Sequence, residues 1–354
     1  MKRKPQEVLC FLRFFVGVIL FPILVIHQEQ IHKMETITIK IENIVDIDAL
    51  SREYDMANED LISFHNQHCA LHEILPEALP KYIQYLYLPA DKYRNWEKKQ
   101  VQISRIDMPA TLDILTYGVL IRQYPSDIQI NYLVDIQKKQ ENEVSVKRHK
   151  LYVDEIEVEL MVEKIMETAG EALYPLRLSL GNEGKIEKIL NVKEILSRWN
   201  KNYLPALQAY YKGKTAEDIM EKLDRFYKNM GNGREVLDYN IFYSIFFLPL
   251  YGSYPDYQKK EELSFYFSAI DEMVSFDAFF SLQKTYTEQG KIVIQIRGEQ
   301  NNAEVGLEKG CLDLIYKLDK ETNSIFSVEG NLSTFYNKEE CKVYIEIYHQ
   351  KSYI

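Results

Sequence analysis

The stretch 128-IQINYLVDI-136 decides how most of the chain is read. Ile128, Ile130, Tyr132, Val134 and Ile136 alternate with Gln129, Asn131, Leu133 and Asp135. A period of two places the first set on one face of a strand and the second set on the other. Outward from there, Val144-Val146, Leu151-Val153 and Ile156-Val158-Leu160 continue the pattern with charged residues between them. The run 173-LYPLRLSL-180 then turns at 181-GNEG-184 into 185-KIEKI-189, a hairpin whose glycines supply the turn. After Pro255, alternation returns at Leu263-Phe265-Phe267, Ile292-Ile294-Ile296, Leu312-Leu314-Tyr316, Ile325-Ser327-Glu329 and Val343-Ile345-Ile347. Long strands with one apolar face suit an open or half-barrel sheet covered on one side.

Helices separate the two groups of strands. Ile195, Trp199, Tyr203, Leu207 and Tyr210 share one helical face. Thr215 with Asp218 opens a second helix, striped by Ile219, Leu223, Phe226 and Met230 and ended by Gly231-Asn232-Gly233. The segment 236–248 includes IFYSIFF, apolar on every side yet too short to span a bilayer, and so predicts a buried central helix. The hairpin at 312–330 resembles the one at 172–191 in outline, which predicts two related antiparallel halves around the helices.

Composition narrows the function classes. The 354 residues are 46% hydrophobic and 27% charged, as in a folded chain of two or three domains. The net charge is −10, and without residues 1–33 it is −13. An acidic body argues against a nucleic-acid partner. Cys10, Cys69, Cys311 and Cys341 form no CxxC, although Cys311 and Cys341 could pair across neighbouring strands. At the start, Phe14 to Ile26 is thirteen residues without a charge behind a basic opening, with no small-residue cleavage site after it. Residues 1–33 therefore read either as an export signal or anchor, with membrane contact through residues 8–26, or as an extension upstream of a true start at Met34.

The segment from Met34 forms a module of its own. Thr36 to Ile41 alternates as a half-buried strand, and Ile47, Leu50 and Tyr54 follow at helical spacing. Asn58-Glu59-Asp60 opens a second helix bearing Leu61, Ile62 and Phe64, and Leu86-Tyr87-Leu88-Pro89 closes a second strand. This β-α-α-β order over roughly 35–90 resembles the LysM domain, which implies binding of N-acetylglucosamine polymers. The resemblance implies glycan contacts at Asp46 and Asp48 in the first loop and at Asn66 and Gln67 in the second. The family's Gly-Asp-Thr is replaced here by Ile44-Val45-Asp46, and the loop from Gln67 to Lys81 is longer than usual. Asp46 also reads as a helix N-cap and Asn66 as a C-cap.

The run 64-FHNQHCALHE-73 offers His65, His68, Cys69 and His72 on one side if the helix continues, a zinc-like donor set. The module instead ends that helix near Asn66, leaving metal as the weaker alternative. Catalytic patterns are few. Cys341 and His349 lie about 26 Å apart on an extended strand, beyond direct pairing. Glu157, Glu159 and Glu163 read as a solvated face, and Trp199 with the tyrosines of 203–211 as core rather than sugar platform. No GxSxG, HExxH, Walker A or GxGxxG occurs.

The expectation is thus an α+β chain: a small β-α-α-β LysM-like module at 34–90, a linker at 91–105, and a large antiparallel sheet domain with a central helical segment at 106–354. In that domain strands are expected over about 112–190 and 262–349, and helices over 193–248. Its expected role is non-catalytic binding, without a cofactor, to peptidoglycan or another N-acetylglucosamine glycan at the cell envelope. The alternatives are a cytoplasmic protein-binding adaptor of a contractile injection or secretion apparatus, and a cell-wall hydrolase.

Overall fold

The computed structural model describes residues 35–41, 46–76, 83–101, 104–140, 142–157, 160–231, 233, 235–301 and 308–350. The chain divides into two compact units, Met1–Gln100 and Val101–Ile354. The readings placed on residues 1–33, on Ile44 and Val45, on Val158 and Glu159, on Asn232 and on 77–82 lie outside the described residues.

In the first unit, β1 (Thr36–Lys40) is followed by α1 (Ile47–Glu53), α2 (Asn58–His68), a 3-10 turn at Leu71–Glu73, β2 (Tyr85–Pro89) and α3 (Ala90–Lys99). The strands pair antiparallel, with Ile37 opposite Leu88 and Ile39 opposite Leu86. Ile47, Leu50, Tyr54, Leu61, Leu75, Ile83, Leu86 and Leu88 form its core. The stretch 91–105, expected as a linker, is helical as far as Lys99. The reason is that Tyr93 and Trp96, three residues apart, share a face and pack on that core, with Trp96 5.3 Å from Tyr54. Burial and the neighbouring Glu53 carboxylate push the Tyr54 phenol up to about 12.

The second unit is built on one sheet. Its strands are β4 (Ile114–Tyr124), β5 (Ile128–Gln140), β6 (Glu143–Val153), β7 (Ile156–Glu157), β8 (Leu176–Leu180) and β9 (Ile186–Ile189) before the helices. After them come β11 (Gln258–Phe267), β12 (Glu272–Leu282), β13 (Lys291–Gln300), β14 (Cys311–Asp319), β15 (Ile325–Tyr336) and β16 (Glu339–His349). All twelve join in the order β11-β12-β13-β14-β15-β16-β4-β5-β6-β8-β9, with β7 beside β6. Two short strands, β3 (Arg105–Ile106) and β10 (Gly252–Ser253), pair separately.

This arrangement overturns the α+β reading and its two related halves. Strands hold 43% of the described residues and helices 30%, and the sheet is continuous rather than split in two. The cause is a single long-range pairing. β16 lies antiparallel to β4, with Ile345 opposite Ile121 and His349 opposite Tyr117, and so joins the strands on either side of the helices. The sheet also curls, because Ile186 near one edge and Leu263 on the other edge strand line the same cavity against Tyr243 and Phe247.

One face of the sheet is buried. Leu312, Leu314, Tyr316 and Leu318 on β14, and Val343, Ile345 and Ile347 on β16, point into the core. Covering it are α4 (Met161–Glu171), α5 (Val192–Arg198), a π turn at Trp199–Tyr203, α6 (Leu204–Tyr210), α7 (Lys214–Lys228), α8 (Glu235–Asp238) and α9 (Ile241–Phe246). Where one central helix is expected over 236–248, two short ones occur. Asn240 breaks the run and caps α9, its side chain accepting from Phe242 N at 3.0 Å. Buried tyrosine hydroxyls tie the elements together: Tyr316 of the sheet donates to Ile245 O of α9, Tyr117 on β4 to Ile325 O on β15, and Tyr227 on α7 to Ala169 O on α4. Burial pushes these three phenols up, so they stay neutral donors.

Cys311 and Cys341 do not pair. They lie on β14 and β16 with β15 between them, Cys311 exposed and Cys341 buried, and both are free thiols. Alternation turns them to opposite faces of the sheet.

Candidate functional site

The side chains implied as glycan contacts are engaged within the first unit itself. Asp46 accepts from Ala49 N at 2.6 Å and caps α1. Asp48 accepts from the side-chain amide of Asn58, tying α1 to α2. Asn66 uses both ends of its amide on one residue: Nδ2 donates to Leu75 O at 2.9 Å, and Oδ1 accepts from Leu75 N at 2.7 Å. Gln67, on the last turn of α2, donates to Ser63 Oγ at 3.3 Å. Asp46 and Asp48 thus sit on the first turn of α1, and Asn66 and Gln67 at the end of α2.

His65 is fully buried and bridges elements. Its Nε2 is 2.9 Å from Glu73 O, and its Nδ1 accepts from Tyr87 N at 3.2 Å, a pattern that fits the tautomer carrying the proton on Nε2. His68 turns back to Phe64 O at 2.8 Å. Cys69 ends α2, and burial raises its thiol. His72 stands exposed in the 3-10 turn. These four side chains do not converge, and no group of three or more His, Cys, Asp or Glu able to hold a metal ion occurs among the described residues. What the histidine run builds is a brace. Asn66 and His65 fix the backbone of 69–76, while Leu71 and Ile74 on that segment are 87% and 42% exposed.

A second arrangement lies on the open face of the sheet, and the sequence does not single it out. On β5, Asn131 and Leu133 face outward with Leu120 of β4, opposite Tyr348 and Glu346 of β16. Tyr348 lies across the strand at Gly118, where an ideal Cβ would stand 2.3 Å from its ring. Only glycine admits the ring there. Apart from Glu346, these residues line an open groove of about 360 Å³ with His149, Lys150 and Tyr152. His149 Nε2 is 2.8 Å from Asp135 Oδ2, and Asp135 Oδ1 accepts from Thr116 Oγ1 at 2.8 Å. The hydroxyl donates to the carboxylate and not to the imidazole, so this is not the order that activates a nucleophile. It does hold the ring in one orientation. The available signal was the polar set of the opening stretch, Asn131 and Asp135. Its meeting with Tyr348 depends on the β16–β4 register, which no local pattern states.

On the buried face, Leu115, Tyr117, Ile136, Val144, Phe246 and Tyr251 line a partly open apolar cavity of about 70 Å³ beside the segment 107–113. Lys138 Nζ fastens that segment through Pro109 O at 2.6 Å. The volume is about half that of a cavity able to hold benzene, so it reads as a packing void. Trp199 is buried against Tyr227, ring centroids 4.4 Å apart, and is core. Among the described residues no helix is long and apolar enough to cross a membrane.

No protein-family model matches the chain, and no curated protein does. Among solved structures, a chain of lipovitellin, from the structure "Lipid-protein interactions in lipovitellin", is similar over 71% of this chain at 9% identity, with a TM-score of 0.37. The match covers 25% of the lipovitellin chain. At that TM-score the likeness carries no argument about fold or ligand.

Proposed function

We propose that the protein is a non-catalytic binding protein of the cell envelope whose first unit grips peptidoglycan or another N-acetylglucosamine polymer, in keeping with its resemblance to the LysM domain. The observation that carries the reading is the braced segment 69–76. Side chains of α2 hold its backbone while Leu71 and Ile74 face solvent. An N-acetyl group offers a methyl and an amide, and a pre-fixed backbone beside apolar side chains receives both at little ordering cost. In this reading Asp46 and Asn66 shape the groove, and Asp48 and Gln67 flank it. Residues 8–26 supply the export or anchoring signal.

The exposed Leu71 also favours a second reading, a cytoplasmic adaptor that packs this unit on a protein partner. Sedimentation with purified peptidoglycan separates the two. Saturable pelleting, weakened by Leu71→Asp and Gln67→Ala with the fold intact, supports the glycan. Folded protein that stays in the supernatant sinks the glycan reading and leaves the adaptor.

A further inference from the structure

We infer that the groove on the open face of the sheet is a binding site for a sugar ring, separate from the first unit. A pyranose presents a flat face of C–H groups bounded by hydroxyls. It needs an apolar or aromatic platform with fixed polar groups at the edge. Leu120, Leu133 and the ring of Tyr348 provide the platform, and the missing Cβ of Gly118 lets the tip of the Tyr348 ring lie over β4. Asn131 brings an amide that both donates and accepts. His149, oriented through Asp135 and Thr116, keeps Nδ1 as a second edge group.

Other ligand chemistries fit less well. Lys150, the lysine of the lining, has the Glu157 carboxylate 2.6 Å away, and that negative charge beside it disfavours an anion. An added peptide strand is blocked, because β4 and β5 are already paired on both edges. An alkyl chain would lie against amide and imidazole in an open groove. The site is half-wet and aromatic, as a sugar site must be.

The test uses the full chain with histidines labelled at the imidazole carbons, whose signals report on seven residues. His149→Gln assigns the His149 signal. An N-acetylglucosamine tetramer and a β-1,4-linked glucose tetramer are each titrated to about 10 mM, a range that captures binding of about −3 kcal/mol or better. The expected result is a saturable shift of the His149 signal with at least one sugar, weakened about tenfold or more by Tyr348→Ala with the circular dichroism unchanged. No shift with either sugar, or a shift indifferent to Tyr348→Ala, overturns the inference. The double variant Gln67→Ala, Leu71→Asp should leave the His149 response intact. Loss of peptidoglycan pelleting without loss of that response confines the first unit's reading to the first unit, and retention of pelleting with a silent His149 ends this one alone.

Discussion

Asp319 Oδ2 meets Lys291 Nζ at 2.7 Å, and its Oδ1 accepts from the Glu321 and Thr322 amides. Burial alone would raise this carboxyl. The hydrogen bonds from Lys291, Thr322 and Glu321 outweigh it and hold the group at about 2. A depressed folded value means stability that is present above the unfolded value of about 3.9 and lost as pH falls through about 2, worth about 2 kcal/mol. Urea denaturation between pH 5 and pH 2 should therefore show a loss that Asp319→Asn flattens. At neutral pH, Asp319→Ala leaves the Lys291 ammonium, 8% exposed, without its carboxylate and should cost about 3 kcal/mol. Lys291→Met, which removes the charge as well, should cost clearly less. Asn66 obeys the same logic: Asn66→Ala orphans both backbone groups of Leu75 and should destabilise the first unit by about 2 kcal/mol. None of this is legible from Asn66 or Asp319 alone. Each partner pair is set by tertiary placement, and an asparagine near a helix end reads equally well as cap, brace or ligand.

Elements divide by the length of their pattern. β14 is legible because buried and open faces alternate without interruption, whereas on β5 the alternation of residue types is clear but Ile128 ends up exposed and Gln129 buried. β12 is harder, since Phe279 on the open face sits among the buried Phe276, Ala278 and Phe280 and blurs the period. α4 hides because Met161, Val162 and Met166 are exposed apolar residues, so its stripe cannot be told from its surface. The helical run 192–210 is legible as one element, yet it carries a π turn ahead of Pro205, whose ring cannot take the ordinary bond. Asp46→Ala should remove the α1 cap and cost about 1 kcal/mol, while Asp46→Asn keeps it. Melting curves of the two variants separate the cap from any ligand role. On β6, Val144→Ile points one more methylene at the 70 Å³ cavity and should raise stability by about 0.8 kcal/mol in chemical denaturation. A loss would mean that the void is too rigid to accept it.

At the scale of the molecule, two cores with no shared member predict two unfolding transitions in calorimetry. Leu61→Ala should lower one and Ile345→Ala the other, each by about 3 kcal/mol of stability. A single transition shifted by both variants would show the units to be coupled. The division into a small β-α-α-β unit and a large sheet unit follows from patterns within each segment. The continuity of the sheet does not, because it rests on β16 finding β4 from the far end of the sequence. That pairing also has a consequence in time. A ribosome that has released everything up to β15 has produced two half-sheets with facing unpaired edges, β4 and β15, exposed to any strand that comes first. β16, made after both half-sheets, is the strand that docks between them. A chain ending at residue 336 should therefore aggregate, and a synthetic peptide spanning residues 337–350, supplied during its refolding, should rescue it in trans.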